Sequence, residues 1–305
     1  MVGSTRPGDY SMTTETEYRL KKIATYISRM PSLSTTVTKV LEICNTPNAS
    51  ANDLNRVISY DPVLTGQVLK LINSAYYGLR SRITSLTRAI IMLGVNTVKN
   101  MVLATSVLAS FKKGRYIKGI SMDSFWVHSL CVGSTAKYIA KIKKVSLLEQ
   151  EEYFVAGLLH DLGKLPMIAC FGELCEKAFN ESQAEGISLY LAENKHIGIN
   201  HCQVGLLIGT KWQLNKEMQH ALAQHHRPLD DMDAMNELLY YTSLANQLAY
   251  HFQIGSGGDH GYDEKLMMDL AERVGVEPNM LLEMKPLIEE EIEKAKIFLN
   301  MSDKG

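Results

Sequence analysis

Nowhere in this sequence do apolar and polar residues alternate at period two long enough to make a convincing strand. That absence excludes sheet-based folds. There is no run of about 18 apolar residues, so no membrane span is expected. The opening MVGSTRPGDY lacks an apolar signal core. Residues 1–13 are expected to be a frayed or vector-derived lead-in. Excess charge is missing too, with 32 basic against 33 acidic side chains and a net charge of -1. No electrostatic footprint for nucleic acid or an anionic membrane is therefore expected. The five cysteines are scattered and form no CxxC pair. Cys131, Cys170 and Cys202 sit in apolar stretches, where cysteine usually behaves as a small core residue. Reduced thiols in a cytoplasmic protein are the expectation. No fixed-period repeat and no low-complexity segment is found.

What remains is helical periodicity almost throughout, and the expected fold is all-α. Leu33, Val37, Val40, Leu41 and Cys44 recur at helical spacing. Ser50 is placed to cap a short helix, and Asp61–Pro62 to open another that stops near Gly78. Gly94 is a stop signal, and Val95–Phe111 is apolar enough for a central helix. The expected organisation is an N-terminal helical subdomain over 14–112, a glycine- and lysine-bearing linker over 112–122, and a helical bundle over 123–250. A glycine-rich turn, Ile254–Gly261, then leads through residues 251–305 to two last helices. The final one, Leu287–Asn300, carries Glu289–Glu291 near its start, where they suit the helix dipole. Trp126, Trp212, Met218, Met232 and Met235 fall at core spacing.

Polar groups interrupt one apolar segment, VAGLLHDLGKLPMI at 155–168. His160 and Asp161 follow Val155, Leu158 and Leu159 there, and Lys164 comes a turn later. His128 shares a stripe with Val132, Thr135 and Ile139, and His201 a face with Gly205 and Ile208. His225 and His226 both follow Leu222 at helical offsets; being adjacent, they can grip one point only from a helix end, which Pro228 supplies. Each such group left unsatisfied would cost roughly 1–3 kcal/mol. A divalent cation would satisfy all six, and neutral imidazoles with one carboxylate suit Fe, Mn, Ni or Zn. The bland account is that they satisfy one another through hydrogen bonds and water.

The string LLHDLGK resembles the signature of the HD superfamily of metal-dependent phosphohydrolases. MPSLSTTVTKVLEI, ISYDPVLTGQVLKLINSAYYG, ITSLTRAIIMLG and IGINHCQVGLLIGTKWQLN followed by HHRP are similar to the HDOD branch. The resemblance covers about residues 25–250 and implies an HD-type multi-helix bundle preceded by an N-terminal helical subdomain. It matches His128 to the first metal ligand and His160–Asp161 to the doublet that names the superfamily. His201, His225 and His226 match the extra histidines of the related HD-GYP phosphodiesterases, where Asp161 would bridge two metals. Lys164 matches a substrate-phosphate contact, giving Asp161 and Lys164 catalytic roles; a solvated helix-end cation is its bland alternative. Two departures stand out: Asn246, at best a weak neutral ligand, occupies the place of the last aspartate, and the DGxGYP loop is missing.

The resemblance implies a bacterial signalling protein binding one or two divalent metals, partnered by a nucleotide second messenger or a signalling protein. The competing implication is an active phosphodiesterase acting on a cyclic dinucleotide or other nucleotide. Tyr76–Tyr77 and Asn73–Ser74 could line a partner surface, although terminating the helix and packing on the linker is the plainer role.

Overall fold

The computed structural model describes residues 14–29, 34–44, 46, 49–111, 120–230 and 236–301. The lead-in, Leu33, Asn45, most of the 112–122 linker and Met232–Met235 lie outside the described residues. Among those described, sixteen helices and no strand occur, as the missing alternation requires.

The first six are α1 (Thr14–Arg29), α2 (Thr35–Cys44), α3 (Ala51–Ile58), α4 (Pro62–Ile72), α5 (Leu86–Leu93) and α6 (Val95–Phe111). Their ends follow local chemistry. Ser50 and Asp53 form a capping box on α3. Asp61 accepts from the Leu64 N–H at the start of α4, where Pro62 takes the first turn. Gly94 closes α5 at φ 82°, a conformation that favours glycine. α4 ends at Ile72 rather than near Gly78, because Asn73 caps it and pins the following loop, donating to the Ile83 carbonyl and accepting from its N–H, both at 2.7 Å. Tyr76 packs against Phe154 and Phe298, while packing of this turn on the linker falls on residues outside those described.

The second set begins with α7 (Met122–Ile142), α8 (Leu147–Leu159), α9 (Lys164–Glu185) and α10 (Leu189–Ile197). It continues with α11 (His201–Lys211), α12 (Lys216–Gln224) and α13 (Glu237–Phe252). One buried apolar cluster runs from Ile23 of α1 through these helices to Phe298, and Trp126, Trp212 and Met218 belong to it. Each fully buried aliphatic side chain in it contributes roughly 1.5–3 kcal/mol. All five cysteines are free; Cys131, Cys175 and Cys202 are buried, whereas Cys170 is only half-buried. The stretch Glu149–Glu185 has the length and hydropathy of a membrane span, yet 83% of its apolar window is buried inside the protein.

The C-terminal part differs from expectation. Three helices follow the glycine-rich turn rather than two: α14 (Glu264–Val274), α15 (Pro278–Glu283) and α16 (Lys285–Met301). Pro278 supplies an extra start signal. The last helix begins two residues earlier than expected and has no acidic residue in its first turn. Glu290 and Glu291 instead pair with Lys294.

Candidate metal centre

Two close helix contacts build the site. A β-carbon on Gly157 of α8 would lie 2.6 Å from the Gly133 Cα of α7, so the two backbones touch. That contact sets His128, on α7, beside the end of α8. Beyond it, a β-carbon on Gly163 would lie 1.9 Å from the His201 carbonyl oxygen, so this turn rests directly on α11. His160 and Asp161 are therefore not inside a helix, as the apolar run suggested. α8 ends at Leu159, His160 caps it, and α9 starts at Lys164. The turn over 160–163 joins the two helices where it meets α11, and both side chains face the other histidines. His225 likewise caps α12, the helix end that adjacent histidines need.

All six expected groups converge. Asp161 is the hub, with its two oxygens facing different partners. Oδ2 lies 3.4 Å from His160 Nε2 and 3.8 Å from His128 Nε2. Oδ1 lies 3.4 Å from His201 Nε2 and 3.6 Å from His225 Nε2. His226 Nε2 is 3.0 Å from His201 Nε2, which is 3.3 Å from His225 Nε2. Five of the six are essentially inaccessible to solvent; only His226 is partly exposed.

The ring orientations are held from behind. His201 donates through Nδ1 to Glu193 Oε2 at 2.6 Å, and its backbone N–H bonds the same oxygen at 2.8 Å. His160 Nδ1 donates to the Gly157 carbonyl at 2.7 Å, and His225 Nδ1 to the Leu222 carbonyl at 3.2 Å. In their neutral form these three rings would each turn Nε2 inward as an acceptor, the arrangement that outer-shell partners impose on metal-ligating histidine. Without a cation or a shared proton, the facing lone pairs of His201 and His225 repel. Both His128 nitrogens, His160 Nε2 and Asp161 Oδ1 are buried with no hydrogen-bonding partner. These orphaned acceptors and the spacing of the donor atoms fit a divalent metal. Two groups of ligand atoms are close enough to hold an ion: His128, His160 and Asp161, and His201, Cys202, His225 and His226.

The electrostatics separate the groups. Burial, reinforced by His160, pulls His128 down to about 3. Burial would raise Asp161, but the charges of His160 and Lys164 hold it well below the usual carboxylate range. His225 is opposed by burial yet lifted by Cys202 and Asp161 to about 9. His201, also opposed by burial, is held well above its ordinary value chiefly by Glu193. Burial would raise the Cys202 thiol, but His225 and His201 bring it to about 7.

Lys164 is buried rather than solvated. Its ammonium bonds Asp161 Oδ2 at 2.8 Å, the Gly257 carbonyl at 2.8 Å and Asp259 Oδ2 at 3.4 Å. All three of its donors are thereby taken. Asp259 also accepts from the Leu189 N–H at 2.8 Å and the Tyr250 hydroxyl at 3.2 Å. The glycine-rich turn is thus not a plain surface connection. It enters the centre, with Gly257, Gly258 and Asp259 buried. Glu193, Cys202, Tyr250 and Asp259 were not legible as site residues. The one signal was an aspartate among glycines at 255–261, where backbone can approach closely. Asn246 is buried on α13, and its Oδ1 has no hydrogen-bonding partner.

Fold and site together define an all-α protein with a buried His/Asp centre able to take a divalent metal. The chain belongs to the HDOD family, whose domain matches residues 30–228. An uncharacterized protein of Treponema pallidum (strain Nichols) is 24% identical over 243 residues, 79% of this chain and 46% of that protein. The chain thus spans about half the length of the curated relative it matches. Among solved structures, an HDOD domain protein of unknown function from Geobacter sulfurreducens has a TM-score of 0.72 at 23% identity, covering 92% of this chain and 97% of its own. A candidate signal transduction protein from Marinobacter aquaeolei VT8 has a TM-score of 0.70 at 18% identity, with 97% and 68% covered. A candidate phosphohydrolase from Shewanella amazonensis SB2B has a TM-score of 0.66 at 19% identity, with 92% and 97% covered. At these identities the likeness is one of fold.

Proposed function

We propose that this protein is a bacterial regulatory HDOD protein whose second helical unit is organised round a divalent-metal centre. His128, His160, Asp161, His201, His225 and His226 would hold the metal, drawn from the Fe, Mn, Ni or Zn class, with Asn246 at most a weak addition. The observation that carries the regulatory reading is the state of Lys164. In a hydrolase, a lysine here would hold a non-bridging phosphate oxygen as a point charge. In this chain its donors are consumed by Asp161, the Gly257 carbonyl and Asp259. The cavity beside it, lined also by Ile120, Phe125, Leu189 and Gly257, has a volume of about 20 Å³. That is room for a water or a bare ion on the far side of the lysine, in a space lined by none of the six centre groups.

A cavity of about 620 Å³ is lined elsewhere, by Tyr76, Tyr77, Ser134, Lys137 and Glu151 among others, and by none of the six centre groups. Its size suits a small molecule. Under this reading a nucleotide messenger or a signalling protein is met there, between the two helical units, while the centre stiffens the bundle.

The second reading, a metal-dependent phosphohydrolase, is favoured by Asp161, whose two oxygens face separate ligand groups as a bridging carboxylate would. A bound metal would then supply an activated water and polarise the phosphoryl group. The test is hydrolysis of bis(p-nitrophenyl) phosphate and of a cyclic dinucleotide by metal-loaded protein, with His160→Ala and Asp161→Ala as controls. The regulatory reading expects no turnover above these variants. Turnover clearly above them overturns it in favour of the hydrolase.

A further inference from the structure

We infer that Cys202 is a metal ligand, and that His201, Cys202, His225 and His226 form a four-coordinate zinc site closed to substrate. This rests on the metal-binding reading and goes beyond it, because it divides the centre into two unlike halves. The apolar neighbours of Cys202 in sequence suggest a small core residue, and it is indeed buried. Its sulfur, however, faces the histidines. Sγ lies 3.8 Å from both ring nitrogens of His225, and it and one ring nitrogen from each of the three histidines lie within 4.8 Å of one another.

Those separations can be compared with a tetrahedral ion. With Zn–N near 2.05 Å and Zn–S near 2.3 Å, the ligand edges should be about 3.3 Å for N···N and about 3.6 Å for S···N. The structure has 3.3 Å between His201 and His225, 3.0 Å between His201 and His226, and 3.8 Å between Cys202 and His225. Three of the six edges thus match one ion, and the four groups offer ligand atoms within 4.8 Å of one another. Glu193 holds His201 from behind, and backbone carbonyls hold His225.

Chemistry then selects the metal. A thiolate beside imidazoles favours zinc over manganese or magnesium. Four protein ligands leave no open position, which marks a structural site rather than a catalytic one. The other half offers only His128, His160 and Asp161, and Asp161 Oδ2 is already shared with Lys164. The better-furnished half is thus the closed one, and two-metal hydrolysis loses its second open ion.

The experiment is cobalt substitution of the full chain, comparing wild type with Cys202→Ser. Wild type is expected to show thiolate-to-cobalt charge transfer in the near ultraviolet with strong tetrahedral bands in the visible. Cys202→Ser should lose the charge transfer and release that equivalent to a chelator that wild type resists. Persistence of the band in Cys202→Ser, or its absence from cobalt-loaded wild type, overturns the assignment while leaving metal binding intact. No cobalt bound at all overturns both readings. Should the variant not fold, X-ray absorption on zinc-loaded wild type decides the matter alone. A sulfur scatterer at about 2.3 Å supports the site, and a shell of nitrogen and oxygen only overturns it.

Discussion

Lys164 reaches ninety-three residues along the chain to donate a 2.8 Å hydrogen bond to the backbone carbonyl of Gly257. With the bonds to Asp161 and Asp259, this contact occupies the three donors of the ammonium. The contact is possible because residue 257 is glycine: an added β-carbon would lie 2.4 Å from Asp161 Oδ2 and 2.7 Å from the Tyr250 hydroxyl. Gly257→Ala should therefore push the turn off the centre. The expected cost is about 1–3 kcal/mol, the usual range for overpacking, measured by denaturant unfolding of wild type and variant side by side.

Asp259 ties the same turn down through Lys164, Tyr250 and the Leu189 N–H. Burial would raise its carboxyl, yet Lys164 and His226 hold it low enough to remain charged at neutral pH. Asp259→Ala leaves the Lys164 ammonium with one carboxylate fewer and a buried amide unpaired. Losing one partner of a buried pair costs about 3–5 kcal/mol. Thermal melting should show the loss, and Asp259→Asn should recover part of it by keeping an oxygen acceptor.

Glu193 orients His201 through its ring and its backbone together. Glu193→Gln keeps the shape but removes the charge that holds the Nδ1 proton. Metal affinity should fall about 10–100-fold, as for other outer-shell changes, while the metal-free melting curve moves far less. Competition against a chromophoric chelator measures the first, and calorimetry with chelator present the second.

Stability of the metal-free protein should depend on pH in opposite directions through His128 and His225. His128 has an ordinary value of 6.5 and about 3 when folded. Between these the unfolded chain binds a proton that the native state refuses, so stability rises with pH. Its contribution is full above 6.5 and is lost as pH falls toward 3. His225 works in reverse: raised from 6.5 to about 9, its contribution is full below 6.5 and lost as pH climbs through 9. Melting temperatures in chelator should thus fall on both flanks, and His128→Gln should make the acid flank shallower while His160 and His226, also lowered by burial, keep part of it. An acid flank unchanged in that variant would contradict the burial of a neutral His128.

Much of this was legible beforehand, for identifiable reasons. Helical period and caps such as Ser50, Asp61 and Gly94 are local signals, and the helices start and stop where they point. The six converging groups were legible because polar residues inside apolar stretches demand partners. Their exact setting was not. Whether His160 lies in a helix or at its end is decided by Gly163 meeting α11, a contact between segments far apart in the chain. Glu193, Cys202 and Asp259 carry no periodic mark; each matters only through what the fold puts opposite it. Cys202 shows the limit most plainly, since an apolar neighbourhood in sequence placed it in the core and three imidazoles in space give it another use.

The central claim is that six buried groups converge because a divalent cation belongs among them. Elemental analysis of the protein after purification and exhaustive dialysis tests it most directly, alongside Asp161→Ala. The account predicts one or two tightly held transition-metal equivalents in wild type, sharply fewer in the variant, and a melting temperature that drops when the metal is stripped. Wild type that stays metal-free after incubation with zinc, manganese, iron and nickel, with its melting temperature unmoved, would contradict it.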